Sequence, residues 1–248
     1  MSSPFDLTGQ RFLITGASSG IGRAICIRVA AQGGIVVASG RDMVRLESTV
    51  QSLAGVGHRV HAADLVEEKA LDALVEGMPG LHGVVHCAGV GKVLPFKFIS
   101  AKELQAIQRV NYEAPILLTQ RLLKRKILLN GGAIVFIASI SGLFGAKGYG
   151  LYSGSKGGLI AMARSLALEL APQKIRVNCV APGMVRTAMA SEAEASISTE
   201  AMEEHERAYP LGFGGPDDVA APVAFLLSSA SRWITGECLV LDGGFSIH

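Results

Sequence analysis

The stretch YGLYSGSKGG, Tyr149 to Gly158, sets two phenols upstream of one ammonium. Tyr152 precedes Lys156 by four residues and Tyr149 precedes it by seven. On a continuous helix both intervals approximate whole turns, so the three side chains would share a face. A nearby ammonium favours the phenolate over the phenol, which makes such a pair able to pass a proton. Tyr149 stands between Gly148 and Gly150, poor company for a helix interior, and is expected in the loop ahead of the helix. Tyr152 is separated from Lys156 by one turn of small residues. A Tyr-x-x-x-Lys pair also decorates many plain helix surfaces, so its meaning depends on what the rest of the chain brings to it.

Short apolar runs alternate with longer amphipathic stretches. Runs at 11–16, 34–40, 58–65, 82–89, 132–139, 175–183 and 237–244 read as seven strands, β-branched, apolar on both faces and closed by Gly, Ser, Asp or Pro. Helical patterns lie between them, among them Ile21–Gln32, Ser100–Leu129 and Gly154–Leu170. This alternation predicts a parallel sheet with right-handed crossovers and helices on both faces. Nothing divides the chain, so a single domain over 1–248 is expected, with 187–209, rich in Ala, Ser and Glu, as a mobile helical insertion.

The first strand runs into TGASSGIGRA, with Gly16, Gly20 and Gly22 spaced G-x-x-x-G-x-G. A tight turn, close backbone approach to a pyrophosphate and close helix–strand packing each need a glycine. The helix opening near Ile21 would aim free N–H groups and its positive dipole end at phosphates. At the end of the second strand, Gly40 occupies the slot where NAD sites place an acid, and Arg41 follows it. An arginine there accommodates a 2′-phosphate, which favours NADP(H) over NAD(H). The rivals are Asp42 as that acid and Arg41 as a plain surface residue.

The glycine spacing, with YSGSK downstream, resembles the short-chain dehydrogenase/reductase family, and the resemblance covers essentially the whole chain. HCAG stands where that family has Asn-Asn-Ala-Gly, VN at 110–111 matches its catalytic asparagine, and APGMVRT matches its Pro-Gly turn. The tail from Tyr209 to Gly244 is similar to the 3-oxoacyl-(acyl carrier protein) reductases in particular. The resemblance implies a Rossmann-like, doubly wound α/β fold and a catalytic set of Asn111, Ser139, Tyr152 and Lys156. Ser139 precedes Tyr152 by 13 residues, the family's spacing, whereas Ser141 is off by two. Implied cofactor contacts are Gly16, Ser18, Ser19, Gly20, Ile21, Gly22, Arg41, Asp64, Leu65, Ala88, Gly89, Tyr152, Lys156, Pro182, Gly183, Val185 and Thr187. Asp64 would read the adenine amino group unless it is a helix cap. Thr187 would bond the nicotinamide carboxamide unless it is an ordinary loop threonine.

The chemistry implied is reduction of a ketone, with hydride to carbon and a proton from Tyr152 to the developing alkoxide. Lys156 and the oxidised nicotinamide would pull the phenol's pKa down from its usual value near 10. Ser139 would bond the substrate oxygen, Lys156 would also hold the nicotinamide ribose, and Asn111 would anchor a water linking Lys156 to solvent. The expected substrate is a 3-oxoacyl thioester, with another ketone or secondary alcohol such as a sugar, steroid or small diketone as the rival. A redox-sensing binding protein with a vestigial site would be expected to have lost Tyr152 or Lys156, and both are present. His86 and Cys87 depart from the family's asparagine pair, and Phe213 stands where the carrier-protein reductases often carry Arg.

Bulk properties fit. With 248 residues, 49% hydrophobic, 18% charged and 30 glycines, the chain is apolar and globular, long enough for a full core without metal or disulfide. A net charge of +2 is too mild to argue for nucleic acid. Cys26, Cys87, Cys179 and Cys238 lack metal-ligand spacing and read as buried free thiols in a reducing compartment. No secretory pattern opens the sequence and no apolar run would span a membrane, so a cytoplasmic protein is expected. The resemblance implies a homotetramer built on the helices at 100–129 and 154–170. Arg121, Lys124, Arg125 and Lys126, with Lys174 and Arg176, form either a solvated helix end or a docking patch for an acidic acyl carrier protein.

Overall fold

The computed structural model describes residues 3–187 and 199–247. Strands β1 (Arg11–Thr15), β2 (Ile35–Gly40), β3 (Arg59–Ala62), β4 (Leu81–His86), β5 (Leu128–Ile137), β6 (Arg176–Pro182) and β7 (Cys238–Leu241) form one sheet in the order β3-β2-β1-β4-β5-β6-β7. Every pairing is parallel. Alternation along β1 explains the layering, since successive side chains point to opposite faces. Phe12 and Ile14 pack with Ile25 and Val29 of α1 (Gly20–Ala31) and with Val219 and Val223 of a helix at Pro216–Leu227. Leu13 packs on the other face, with Leu118 and Leu122 of a helix at Ala114–Lys124 and Leu159 and Ala163 of one at Gly150–Leu170. Strand order reverses between β1 and β4, so their carboxyl ends open the crevice in which such sheets bind ligands.

The other helices are α2 (Met43–Gln51), α3 (Glu68–Val75), α4 (Ala101–Gln108), α5 (Ala114–Lys124), α6 (Gly150–Leu170), α7 (Thr199–Arg207) and α8 (Pro216–Leu227). Two differences from the sequence reading matter. The stretch 100–129 is not one helix, because a π-helical turn at Arg109–Glu113 separates α4 from α5. Lys126 then takes a left-handed backbone (φ 55°), and the apolar residues from Leu128 onward join β5 opposite Leu81. An apolar run of that length suits strand or helix equally, and the sheet edge on offer decides it. The expected insertion at 187–209 includes α7, while 188–198 lie outside the described residues. No helix among the described residues is long and apolar enough to cross a membrane.

Arg176, expected at a docking surface, turns inward instead. Its guanidinium donates to the carbonyls of Leu226 (2.6 Å), Leu227 (3.3 Å), Ser228 (3.2 Å) and Ser231 (3.3 Å) and to the Ser231 hydroxyl (2.6 Å). It thereby caps the open carboxyl end of α8. Arg121 and Arg125 also differ from a free patch, since both lie near Asp72 of α3, at 2.9 and 3.9 Å.

Candidate active site

The glycine loop is built by steric necessity. Gly16 takes a left-handed backbone (φ 67°), and a Cβ there would come within 2.8 Å of the Ala88 nitrogen. A Cβ on Gly22 would lie 2.2 Å from the Gly16 carbonyl oxygen, so the first turn of α1 packs on the end of β1 only without side chains. Thr15 locks the neighbouring strand, its hydroxyl accepting from the amides of Cys87 (3.0 Å) and Ala88 (3.2 Å). Ser19 is the N-cap of α1 yet makes no side-chain capping bond. The orphan amides of that turn, those of Gly20, Ile21 and Gly22, are therefore left for a guest anion. This uncapped end in a glycine-lined cradle fits a dinucleotide pyrophosphate.

The end of β2 separates the rival residues. Asp42 caps α2 by accepting from the Arg45 amide at 3.0 Å, and its other oxygen pairs with the Arg45 guanidinium at 3.1 Å. Arg41 is exposed and forms no ion pair with the described residues. A Cβ at Gly40 would lie 3.5 Å from the Ser18 hydroxyl, so Ser18 and Arg41 flank the same spot. Asp64 is exposed; it is not the cap of α3, which is Glu67, and its carboxylate accepts from the Val66 amide at 3.3 Å. Leu65 beside it is buried.

The residues with catalytic chemistry converge at the carboxyl ends of β4 and β5. Ser139 follows β5; its hydroxyl accepts from the Ser141 amide at 3.1 Å and lies near enough to the Tyr152 phenol to lower its pKa. Lys156 is 4% exposed, donates to the Ile137 carbonyl at 2.8 Å and lies 5.7 Å from the centre of the Tyr152 ring. Gly89 presses against the group, since a Cβ on it would lie 3.3 Å from both Lys156 Nζ and Asn111 Oδ1. Asn111 sits in the π turn with its amide fully used. It accepts from the Val90 amide (2.8 Å) and donates to the Val90 carbonyl (2.9 Å) and the Ser155 hydroxyl (3.1 Å). Ser155, fully buried, donates in turn to the Tyr152 carbonyl at 2.7 Å. That link between Asn111 and Tyr152 was missed in the sequence, where Ser155 passes for a small helical filler.

Electrostatics differ from the simple expectation. Burial raises the Tyr152 pKa above the ordinary phenol value, while the Ser139 hydrogen bond pulls it down. Burial also lowers the Lys156 ammonium to about 8, opposed by the thiols of Cys87 and Cys179. A cation weakened this way, among the chain's own groups, does not by itself carry the phenol toward neutrality.

Farther round the mouth, Pro182 ends β6 and the Gly183 amide donates to the Leu241 carbonyl at 2.9 Å. Val185 bridges to Gly214, and the Met184 amide donates to the Tyr209 hydroxyl at 3.3 Å. Thr187 approaches the glycine loop, its methyl 3.3 Å from where a Gly20 Cβ would lie. Tyr209 stacks on Phe245 at 4.5 Å and meets Phe213 edge-on at 5.0 Å. Phe213 is thus a buried wall residue, with the Arg186 guanidinium 5.7 Å from its ring. His86 turns away from the crevice, stacks on Phe136 at 4.8 Å and meets the Thr119 hydroxyl at 2.9 Å. Since Thr119 already donates to the Pro115 carbonyl, it is His86 that donates to Thr119. Burial lowers the imidazole to about 3.

Comparison with known proteins agrees with this geometry. A family model described as "Enoyl-(Acyl carrier protein) reductase" matches residues 16–246. The chain is 35% identical to the 3-oxoacyl-[acyl-carrier-protein] reductase FabG of Aquifex aeolicus, over 96% of this chain and 98% of that one. A short-chain type dehydrogenase/reductase from Mycobacterium marinum superposes with a TM-score of 0.88 at 30% identity, covering 98% of each chain. The angucycline C-6 ketoreductase LanV, solved with bound NADP, gives 0.91 at 28% identity and covers 98% of each. With its glycine cradle and its buried Ser139 and Lys156 beside Tyr152, the chain belongs to the short-chain dehydrogenase/reductase family of oxidoreductases.

Proposed function

We propose that this chain reduces a 3-oxoacyl thioester to the 3-hydroxy compound with NADPH. The observation that carries the reading is Ser139, Tyr152 and Lys156 gathered beside an uncapped, glycine-lined helix end. Residues 16–22 would hold the pyrophosphate, Arg41 with Ser18 the 2′-phosphate, and Asp64, Leu65, Ala88, Gly89, Pro182, Gly183, Val185 and Thr187 the remainder. The bound cofactor supplies the hydride. Ser139 donates to the ketone oxygen and stabilises the charge that develops there. Tyr152 gives that oxygen its proton, and Lys156, beside the phenol, favours the phenolate left behind. The Asn111 amide is committed to Val90 and Ser155, so a water serving Lys156 would rest on the Asn111 main-chain carbonyl.

The FabG relative supports the thioester substrate, and the NADP bound to LanV supports the phosphorylated cofactor. Another ketone is the second reading, favoured by the LanV likeness and by Phe213 in place of Arg. Delivery by an acyl carrier protein would rely on Lys124 and Lys126, since Arg176 is withdrawn and Arg121 and Arg125 lie near Asp72. A cytoplasmic homotetramer completes the proposal, supported by apolar residues left exposed, such as Leu168 on α6. A panel of 3-oxoacyl thioesters, simple ketones and sugars, each run with NADPH and NADH, tests the proposal. Highest kcat/KM for a thioester with NADPH is expected, and a sugar or NADH preference would overturn it.

A further inference from the structure

The second phenol of the opening motif stands at the same mouth as the first. The Tyr149 ring lies 6.2 Å from the Tyr152 ring, tilted at 68°. Tyr149 therefore stands beside the proton donor, ring against ring. Its backbone is fixed as the N-cap of α6. The amide donates to the Ala146 carbonyl (3.2 Å) and the carbonyl accepts from the Ser153 amide (2.7 Å). The loop after β4 braces it from outside, with the Leu94 amide on the Gly148 carbonyl at 2.8 Å. Its hydroxyl has no hydrogen-bond partner among the described residues. It is a rigidly presented, half-buried donor that the proton transfer does not use.

We propose that Tyr149 is a specificity-determining residue, donating to a second oxygen of the substrate placed 1,3 to the ketone under reduction. This rests on the thioester reading above and deepens it. In a 3-oxoacyl thioester the thioester carbonyl stands two carbons from the reacting ketone. When the ketone oxygen is held by Tyr152 and Ser139, that second oxygen falls toward the neighbouring phenol. A substrate lacking it leaves the Tyr149 hydroxyl unpaired in a partly dry site, and that penalty produces discrimination.

The test compares wild type with Tyr149→Phe on a 3-oxoacyl thioester and on a methyl ketone of equal length without the second carbonyl. Wild type is expected to prefer the thioester, and the substitution to shrink the kcat/KM ratio several-fold to about tenfold, the worth of one neutral hydrogen bond. An undiminished preference in Tyr149→Phe, or equal losses on both substrates, overturns the inference while leaving the thioester reading standing. A wild type with no preference sinks the thioester reading and this inference together.

Discussion

Two cations are drawn inward at opposite ends of the central strands, Arg176 where β6 begins and Lys156 where β5 ends. The two terminal nitrogens of the Arg176 guanidinium meet five acceptors from the end of α8 and the turn after it. Lys156 has three donors but one hydrogen-bond acceptor among the described residues, the Ile137 carbonyl, with an aromatic ring and two thiols for its remaining company. A half-buried charge ringed by acceptors is mortar. One with bonds left over is costly to keep and has donors to offer a guest.

Removing Lys156 should produce the larger effect and only on turnover. Lys156→Met is expected to lower kcat by at least about 10²-fold, at the low end of general acid–base contributions. Its melting temperature should hold or rise, because an unsaturated charge leaves the core. A melt that collapses instead would make Lys156 structural. Arg176→Met is the converse. Carbonyls of Leu226 and Leu227 lose their donor, at a cost of about 2–3 kcal/mol, or roughly 5–10 °C for a chain of this length. Activity per folded molecule should survive. An unchanged melting curve would show that the cage contributes nothing.

Arg41, exposed and without an ion pair among the described residues, is the cation placed to wait for a partner. Arg41→Ala should weaken NADPH by one to two decades, the worth of a charge-assisted bond, and leave NADH nearly untouched. Equal losses for both in a binding titration would dismiss it as the phosphate reader. The effect spread most thinly, over a span of pH, concerns His86, a buried group held neutral. Its folded pKa is about 3, against about 6.5 when free. Between those values the unfolded chain binds a proton that the folded chain refuses, so stability falls as pH drops through the window. The slope from this residue is at most about 1.4 kcal/mol per pH unit. His86→Asn should flatten urea-midpoint dependence between pH 6 and 4, and an unaltered dependence would mean that His86 is not the group responsible.

The sheet was legible because each strand is a short apolar run ended by a turn-former, and the cradle because its glycines admit nothing else. The break at Arg109–Glu113 was not, since no residue of RVNYE forbids an α-helix and only packing selects the wider turn. Arg176 looked like a surface charge because its acceptors come from residues 226–231, some fifty positions away. Ser155 was hidden by size. A hydroxyl bridging Asn111 to the Tyr152 carbonyl differs on paper from a filler serine only through long-range contact. Thr15 carried a usable signal, a lone hydroxyl closing an apolar strand at the crevice.

The 2.2 Å gap between a Cβ at Gly22 and the Gly16 oxygen has a consequence for genetics. Even alanine there must part α1 from β1, so a mutant allele at this codon would be cleared as misfolded chain and leave little antigen on a blot. Alleles at Lys156 should behave oppositely, as normally abundant protein without activity. In an oligomer such inert subunits could still assemble with good ones and poison them, whereas the Gly22 allele would simply be recessive.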